Sequence, residues 1–286
     1  MKVMHILTLA FLIPFSLTAQ TAGSREETPP FSTNEGTLVG AGRYNIRNSY
    51  ISDDINYTGW GLQLLNERMR NTSRFNRRLS VQQMFYVDLS STLNPAKTIS
   101  ELSGFAEYSY GYHYRFQPAP QLKLLAGAAV HGLFGFLYNT QGSNNPFALN
   151  VDADFSLSAA AIYSFRLRDF PLTLRYQADM PLVGAAFSPG YEQSYYEIFG
   201  LGNYSGIVHF TSLHNKFSMR SFLTLDFPVS NCTVRIGCLS KLYYSDINRI
   251  EMHRVSHGFM IGLAKEFVSF GGKRLKNKHL YQSAFY

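Results

Sequence analysis

Cysteine, tryptophan and long apolar runs are all scarce in this chain, and each shortage removes a class of protein. The two cysteines, Cys232 and Cys238, lie six residues apart. On one extended strand that is roughly 20 Å, far beyond disulfide reach. They share a face with Val234 and Ile236 and read as small apolar residues. Beyond the N-terminal segment no run of 18 apolar residues occurs, which excludes a transmembrane helix. Helical periodicity is scarce, and no phosphate loop, zinc spacing or dinucleotide fingerprint is present, so no cofactor is expected. The formal charge of +7 is concentrated in Arg74, Arg77 and Arg78 and in Lys273, Arg274, Lys276 and Lys278. These clusters lack interleaved aromatics and do not form a nucleic-acid platform.

What the chain does have is an export signal and aromatics. Lys2, the apolar run from Ile6 to Leu17 and the small-residue site at Thr18-Ala19-Gln20 describe a cleaved signal peptide over residues 1–19. Residues 20–36, with Pro29-Pro30, read as a flexible periplasmic leader. Aromatics reach 15%, with 19 Tyr and 23 Phe, and Gly is frequent, a composition that favours an all-β fold. Mean hydropathy is −0.11, as expected where half the strand residues face water.

The stretch Val151 to Arg168 sets the pattern. Its odd positions, from Val151 through Phe155, Leu157 and Tyr163 to Leu167, are all apolar. Its even positions are mostly polar, from Asp152 and Asp154 to Arg166 and Arg168. Side chains on a strand alternate faces, so one face is apolar and the other wet. Similar segments recur from residue 37 to 267, and ten strands are expected. They begin with Leu38-Gly40-Gly42-Tyr44-Ile46, include one long eighth strand from Val208 to Val229, and end on Phe259, Ile261, Leu263 and Phe267. Residues 268–286 form a basic tail or a last strand. Twelve strands result if Gly200 to Asn215 or the tail from His279 to Tyr286 supplies more.

Short connections (Gln117 to Pro120, Asp169 to Pro171, Pro228 to Cys232) alternate with long ones (Ser91 to Ser100, Leu137 to Asn150, Pro181 to Gly206). In an outer-membrane barrel, short turns lie at the periplasmic end and long loops outside. Met69 to Arg78 departs from that alternation. Tyr112, Tyr114, Phe116, Tyr163, Phe165, Tyr176 and Phe227 fall on the apolar face near the short-turn end, where an aromatic girdle belongs. The reading is an antiparallel up-and-down transmembrane β-barrel in the bacterial outer membrane, its exterior solvated by lipid.

The chain resembles the outer-membrane barrel proteins of Gram-negative bacteria. More narrowly, it is similar to an uncharacterised family of exported barrels of about this length from gut commensals. The residues carrying this are Pro181-Leu182 with Gly184, Phe187-Ser188-Pro189, Ser194-Tyr195-Tyr196-Glu197-Ile198-Phe199, and His209 through Asn215. The resemblance implies the address and the fold and carries no activity.

Candidate functional residues fall into three groups. The polar face places Arg115, Arg166, Arg175, Asp179, Asp226 and Arg235 in the lumen, with His113 and His131 as further polar residues there. The loop from Pro181 to Gly206 brings Tyr191, Tyr195, Tyr196, Glu197 and Phe199 to the mouth as a cap or lid, since loops that long usually plug or gate. Asp152 and Asp154 sit at the outer rim and read first as two solvated carboxylates. Alternatively they activate water with His214, in the manner of ten-stranded outer-membrane proteases, or hold calcium with Asn144 or Asn145. His209, Ser212, His214 and Asn215 resemble the His-x-Ser pair with a later Asn of outer-membrane phospholipases, although Ser212 and His214 stand in reversed order and His214 falls on the lumen face. The leading expectation is a non-enzymatic barrel with a narrow or plugged lumen. It would serve as a passive pore for a small solute or as a structural or surface-binding protein. The rivals are a hydrolase of lipid or peptide at the rim, and a soluble exported β protein whose odd face is core.

Overall fold

Alternation of apolar and polar side chains runs through most of the chain, and it resolves into strands joined by connections of unequal length. The computed structural model describes residues 32–52, 55–141, 146–168, 170–190, 193–229 and 232–268. The segment expected to be a signal peptide, the leader up to residue 31 and the tail beyond residue 268 lie outside the described residues. The strands are β1 (Ser32–Asn48), β2 (Tyr57–Asn71), β3 (Leu79–Leu93), β4 (Ser100–Ala119), β5 (Leu122–Asn139) and β6 (Phe147–Leu167). They continue with β7 (Phe170–Phe187), β8 (Val208–Ser212), β9 (Lys216–Val229), β10 (Cys232–Ile247) and β11 (Ile250–Val268). The first strand starts five residues before the expected boundary at residue 37, so residues 32–36 belong to the barrel.

Each strand pairs antiparallel with its neighbours, and β1 closes the sheet onto β11. Both β8 and β9 pair with β7, through Val183–Phe187 and Thr173–Asp179 respectively. They are two halves of one stave, interrupted by a turn at residues 213–215. The result is a closed antiparallel barrel of ten staves; the segment offered for a twelve-strand alternative supplies half of the eighth. Stagger can be counted directly. From Ala41, paired residues lead through β2 to β5 to Leu149, and the other way through β11, β10, β9 and β7 to Ala161. The difference, 161 − 149 = 12 residues, is the shear that tilts the strands and sets the bore.

The two faces are the inverse of a soluble barrel. On β6, Phe155 is 65% exposed and Leu157 50%, whereas Asp152, Asp154, Ser156 and Ser158 between and beside them are buried. The exposed set continues round the outside with Trp60, Leu62, Val130, Phe134, Phe259 and Ile261. Such a belt is stable only against hydrocarbon. The reading with the odd face as a dry core is therefore corrected. The girdle residues Tyr112, Tyr114, Phe116, Tyr163 and Tyr176 are exposed as expected.

The interior is more apolar than the alternation suggests. Three clusters fill parts of it: Tyr44, Ile46, Phe105, Leu133, Leu137 and Met252 among others; Leu38, Leu65, Met84, Tyr86, Phe222, Leu239 and Met260; and Met69, Leu125, Ala160 and Ile162. Phe105 lies across Gly135 of β5, where a Cβ would fall 2.1 Å from the ring, so only glycine admits that ring position.

At one end the connections are residues 72–78, 120–121, 168–169 and 230–231; at the other they are 49–56, 94–99, 140–146, 188–207 and 248–249. The expected long loop from Leu137 to Asn150 is shorter, residues 140–146, because β5 runs to Asn139 and β6 starts at Phe147. The β10–β11 link, at the long-loop end, is a two-residue turn with Asn248 at φ 55° and Arg249 at φ 63°. That is the left-handed geometry of a tight hairpin.

Candidate functional site

The lumen is laced shut by ion pairs whose partners come from opposite walls. Nearest the short-turn end, Glu67 of β2 is fully buried and accepts two bonds from Arg175 Nη1, at 2.7 and 2.9 Å. It also accepts from Arg235 Nη1. Arg235 Nε and Nη2 donate to the two carboxylate oxygens of Asp226, each at 2.6 Å, a bidentate pair. In a ring of ten staves β2 and β7 are five apart, so the Glu67–Arg175 bridge crosses the full bore.

A second tier follows. Arg220 Nε donates to Asp179 Oδ2 at 3.0 Å, and Gln177 Nε2 binds both Asp179 and Gln82 at 2.9 Å. His113 Nε2 lies 2.7 Å from Ser158 Oγ. Lys241 of β10 reaches Glu107 of β4, again five staves away, and sits 4.2 Å over the Tyr86 ring. Arg254 pairs with Asp88 and rests 3.8 Å over the Phe105 ring. His131 lies 3.7 Å from Glu107 and 3.5 Å from Asp154, linking this tier to the outer one.

In the outer tier Lys216 Nζ donates to Asp152 Oδ2 at 2.8 Å and to Asp154 Oδ1 and Oδ2 at 3.0 and 2.8 Å. Tyr243 Oη donates to Asp152 at 2.9 Å. A small cavity of about 30 Å³ lies among these groups, lined by Glu107, His131, Asp154, Ser156, Lys216 and Arg220 among others. A second small cavity above it, a vestibule, shares Asp152 and Tyr243 and is lined by Tyr50 and Tyr195.

Above the vestibule the 188–207 connection folds across the mouth. Its helical turn, Tyr196–Gly200, is opened by a reciprocal pair: Ser194 N donates to Glu197 Oε2 at 3.0 Å, and Glu197 N to Ser194 Oγ at 3.2 Å. Tyr195 is the anchor. Its Oη accepts from Leu149 N at 2.7 Å, and its ring meets those of Tyr50, Phe147, Phe187 and Phe199 at 5.5 to 6.4 Å. Tyr50 Oη donates to Gln193 O at 2.9 Å, and Asn248 Nδ2 to Pro189 O at 2.9 Å. Burial raises the pKa of Tyr195, and burial together with the Glu197 carboxylate pushes that of Tyr50 up to about 12. Both phenols therefore keep their protons.

Tyr195→Ala is expected to free the cap without opening the barrel. Amide exchange over residues 188–207 should quicken at least tenfold, while the heat-dependent gel shift of the folded barrel stays unchanged.

Of the expected site residues, Arg175, Asp179, Asp226 and Arg235 join the network. Arg115 lies at the base, where Nη2 donates to Arg77 O at 3.1 Å. Arg166 is exposed at the same end, so it is a rim residue rather than a lumen one. Asp152 and Asp154 are buried and bound to Lys216, which corrects their reading as solvated rim carboxylates. His214 is exposed on the 213–215 turn, outside the lumen, with Ser212 Oγ 2.6 Å from its Nδ1 and Asn215 Oδ1 accepting from Ser212 N. His209 lies on the opposite face of β8 from Ser212. Among the lid residues, Tyr195 is packed as described, whereas Tyr196 and Phe199 are 71% and 57% exposed. Tyr191, Asn144 and Asn145 lie outside the described residues. Among the described residues no group of three or more His, Cys, Asp or Glu is placed to hold a metal.

Glu67, Asp88, Glu107, Lys216, Arg220, Lys241 and Arg254 were not singled out by sequence. Most stand on polar faces there, but pairing partners 41 to 168 residues apart leave no local signature.

The chain belongs to the family described as "Protein of unknown function (DUF3316)", whose model matches residues 4–274. No curated protein matches it by sequence. Solved structures similar in fold include the outer membrane protease OmpT from Escherichia coli, at 8% identity and TM-score 0.44, covering 83% of this chain and 97% of that one. The transport unit of the autotransporter AIDA-I from Escherichia coli aligns at 9% identity and TM-score 0.46, covering 89% and 94%. The attachment invasion locus protein Ail of Yersinia pestis aligns at 9% and 0.29, covering 82% and 98%.

Proposed function

We propose that this chain is a bacterial outer-membrane barrel with a shut lumen, working through its surfaces rather than as a passage for solutes. The observation that carries this is the lacing of the bore by Arg175–Glu67 and Lys241–Glu107, each spanning opposite walls. Desolvated ions held by several charge-assisted bonds do not part for a passing solute, because breaking one pair strands a charge at a cost of several kcal/mol. The cap anchored by Tyr195 adds a second closure above. Lipid is the solvent of the exterior belt, and the capped outer face is the surface offered to any ligand.

Conductance in planar bilayers tests the reading. Purified barrel should be electrically silent, and should remain silent when residues 190–205 are replaced by a short Gly-Ser link. Steady ohmic current from the full chain would make it a pore. Current from the shortened chain alone would make the cap, rather than the ion pairs, the seal. Detergent-dependent extraction from envelopes checks the location, since release by salt alone contradicts it.

A further inference from the structure

The lipid-facing exterior carries a polar pair that the lumen does not use. Ser240 of β10 and His257 of β11 are register partners, with Ser240 Oγ 2.8 Å from His257 Nδ1. Both point outward, because Leu239 and Lys241 beside Ser240, and Ser256 beside His257, are buried. The outward neighbours along the same strands are Cys238 and Leu242, and Val255 and Phe259. The pair thus sits at the outer margin of the apolar belt, with the rows of Ala41, Phe259 and Cys238 and of Val39, Ile261 and Ile236 on one side and that of Arg47, His253 and Tyr244 on the other. Register extends the polar patch on both sides. Ser221 of β9 is opposite Ser240 and lies 3.2 Å from Tyr176 Oη, and Arg43 of β1, exposed, is opposite His257. Outward polar and ionisable groups are costly against hydrocarbon, so their clustering here asks for a function.

We propose that Ser240 and His257 are the nucleophile and general base of a lipid acyl hydrolase that takes ester-linked chains from the surrounding leaflet. The inference rests on the membrane location proposed above. The hydroxyl–imidazole separation is within the range of an activated nucleophile. An acyl ester reaches this face without leaving the bilayer. Ser240 Oγ adds to the ester carbonyl carbon while His257 Nδ1 takes the hydroxyl proton. The adduct collapses with cleavage of the carbon–oxygen bond to the glycerol, and His257 returns the proton to that leaving oxygen. Interfacial water, deprotonated by His257, then attacks acyl-Ser240, releasing a fatty acid and restoring the serine. Arg43, alongside His257, presents a guanidinium to the lipid phosphate.

The test uses the full chain folded in detergent. A long-chain alkyl fluorophosphonate reports the nucleophile, and fatty-acid release from phosphatidylethanolamine mixed micelles reports turnover. Wild type should be labelled on Ser240 and should release fatty acid. S240A should lose both, and H257A should slow both about 100-fold or more. R43A should raise KM for the phospholipid several-fold with kcat within twofold. These positions face outward, so all three variants should keep the heat-dependent gel shift of the folded barrel. Folded wild type that takes no label, or labelling that survives S240A, overturns the proposal while leaving the shut barrel intact. Extraction by salt alone overturns both.

Discussion

Glu67→Ala should destabilise the barrel by about 3–5 kcal/mol, the usual cost of stripping one partner from a buried ionic cluster. The substitution removes the carboxylate that Arg175 and Arg235 share, and both guanidiniums lie in a fully desolvated part of the bore. Water cannot replace the lost charge, because the apolar cluster of Leu38, Leu65 and Met84 packs the interior of the neighbouring strands. Urea unfolding in detergent, read as the loss of the compact gel band, measures it. Glu67→Gln keeps the volume and an acceptor, and should cost less than Glu67→Ala. A loss below 1 kcal/mol for Glu67→Ala would show that the cluster is not what holds these walls together.

The second large effect concerns the outside. Phe155→Arg should cost about 2–4 kcal/mol, because a cation on the lipid face near mid-span must be drawn into hydrocarbon. The side chain is 65% exposed, and in a water-soluble protein such a change is within about 0.5 kcal/mol. Tyr196→Arg is the matched control. It is equally exposed but lies on the cap beyond the strands, and its effect should stay within that smaller range. Similar small losses for both variants would mean that the belt meets water rather than lipid.

These expectations draw unequally on what could be read from the chain alone. The sixth strand was legible because its polar and apolar sets are cleanly separated, and its faces are as alternation requires. The first strand was weaker because both of its faces carry apolar residues: Leu38, Tyr44 and Ile46 point into the lumen, and Val39 points outward. Interior packing of that kind blurs a period-two signal at its source. The eighth stave read as one strand because the break at 213–215 contains no glycine or proline. The Asn248-Arg249 hairpin was hidden for a related reason. Its second residue adopts a left-handed φ usually given to glycine, so no Asn-Gly marked it. The candidate site was the least legible part. Asp152 and Asp154 were found, but Lys216, which neutralises them, is more than 60 residues away and on another stave. Ser240 and His257, 17 residues apart, meet only through the β10–β11 register.

The wide separation of the lumen partners bears on how such a chain reaches its final state. Glu67 and Arg235 are 168 residues apart, Asp88 and Arg254 166, and Glu107 and Lys241 134. In each pair the acid belongs to the first four strands and the base to the last two. An unfinished sheet therefore carries Glu67, Asp88 and Glu107 toward one edge and Lys241 and Arg254 toward the other, where Arg235 already has Asp226 beside it. Neutralisation arrives when the first and last strands zip together, and only then does the interior become dry. Insertion and closure are thereby one cooperative event, with complementary charge drawing the two edges toward each other across the gap.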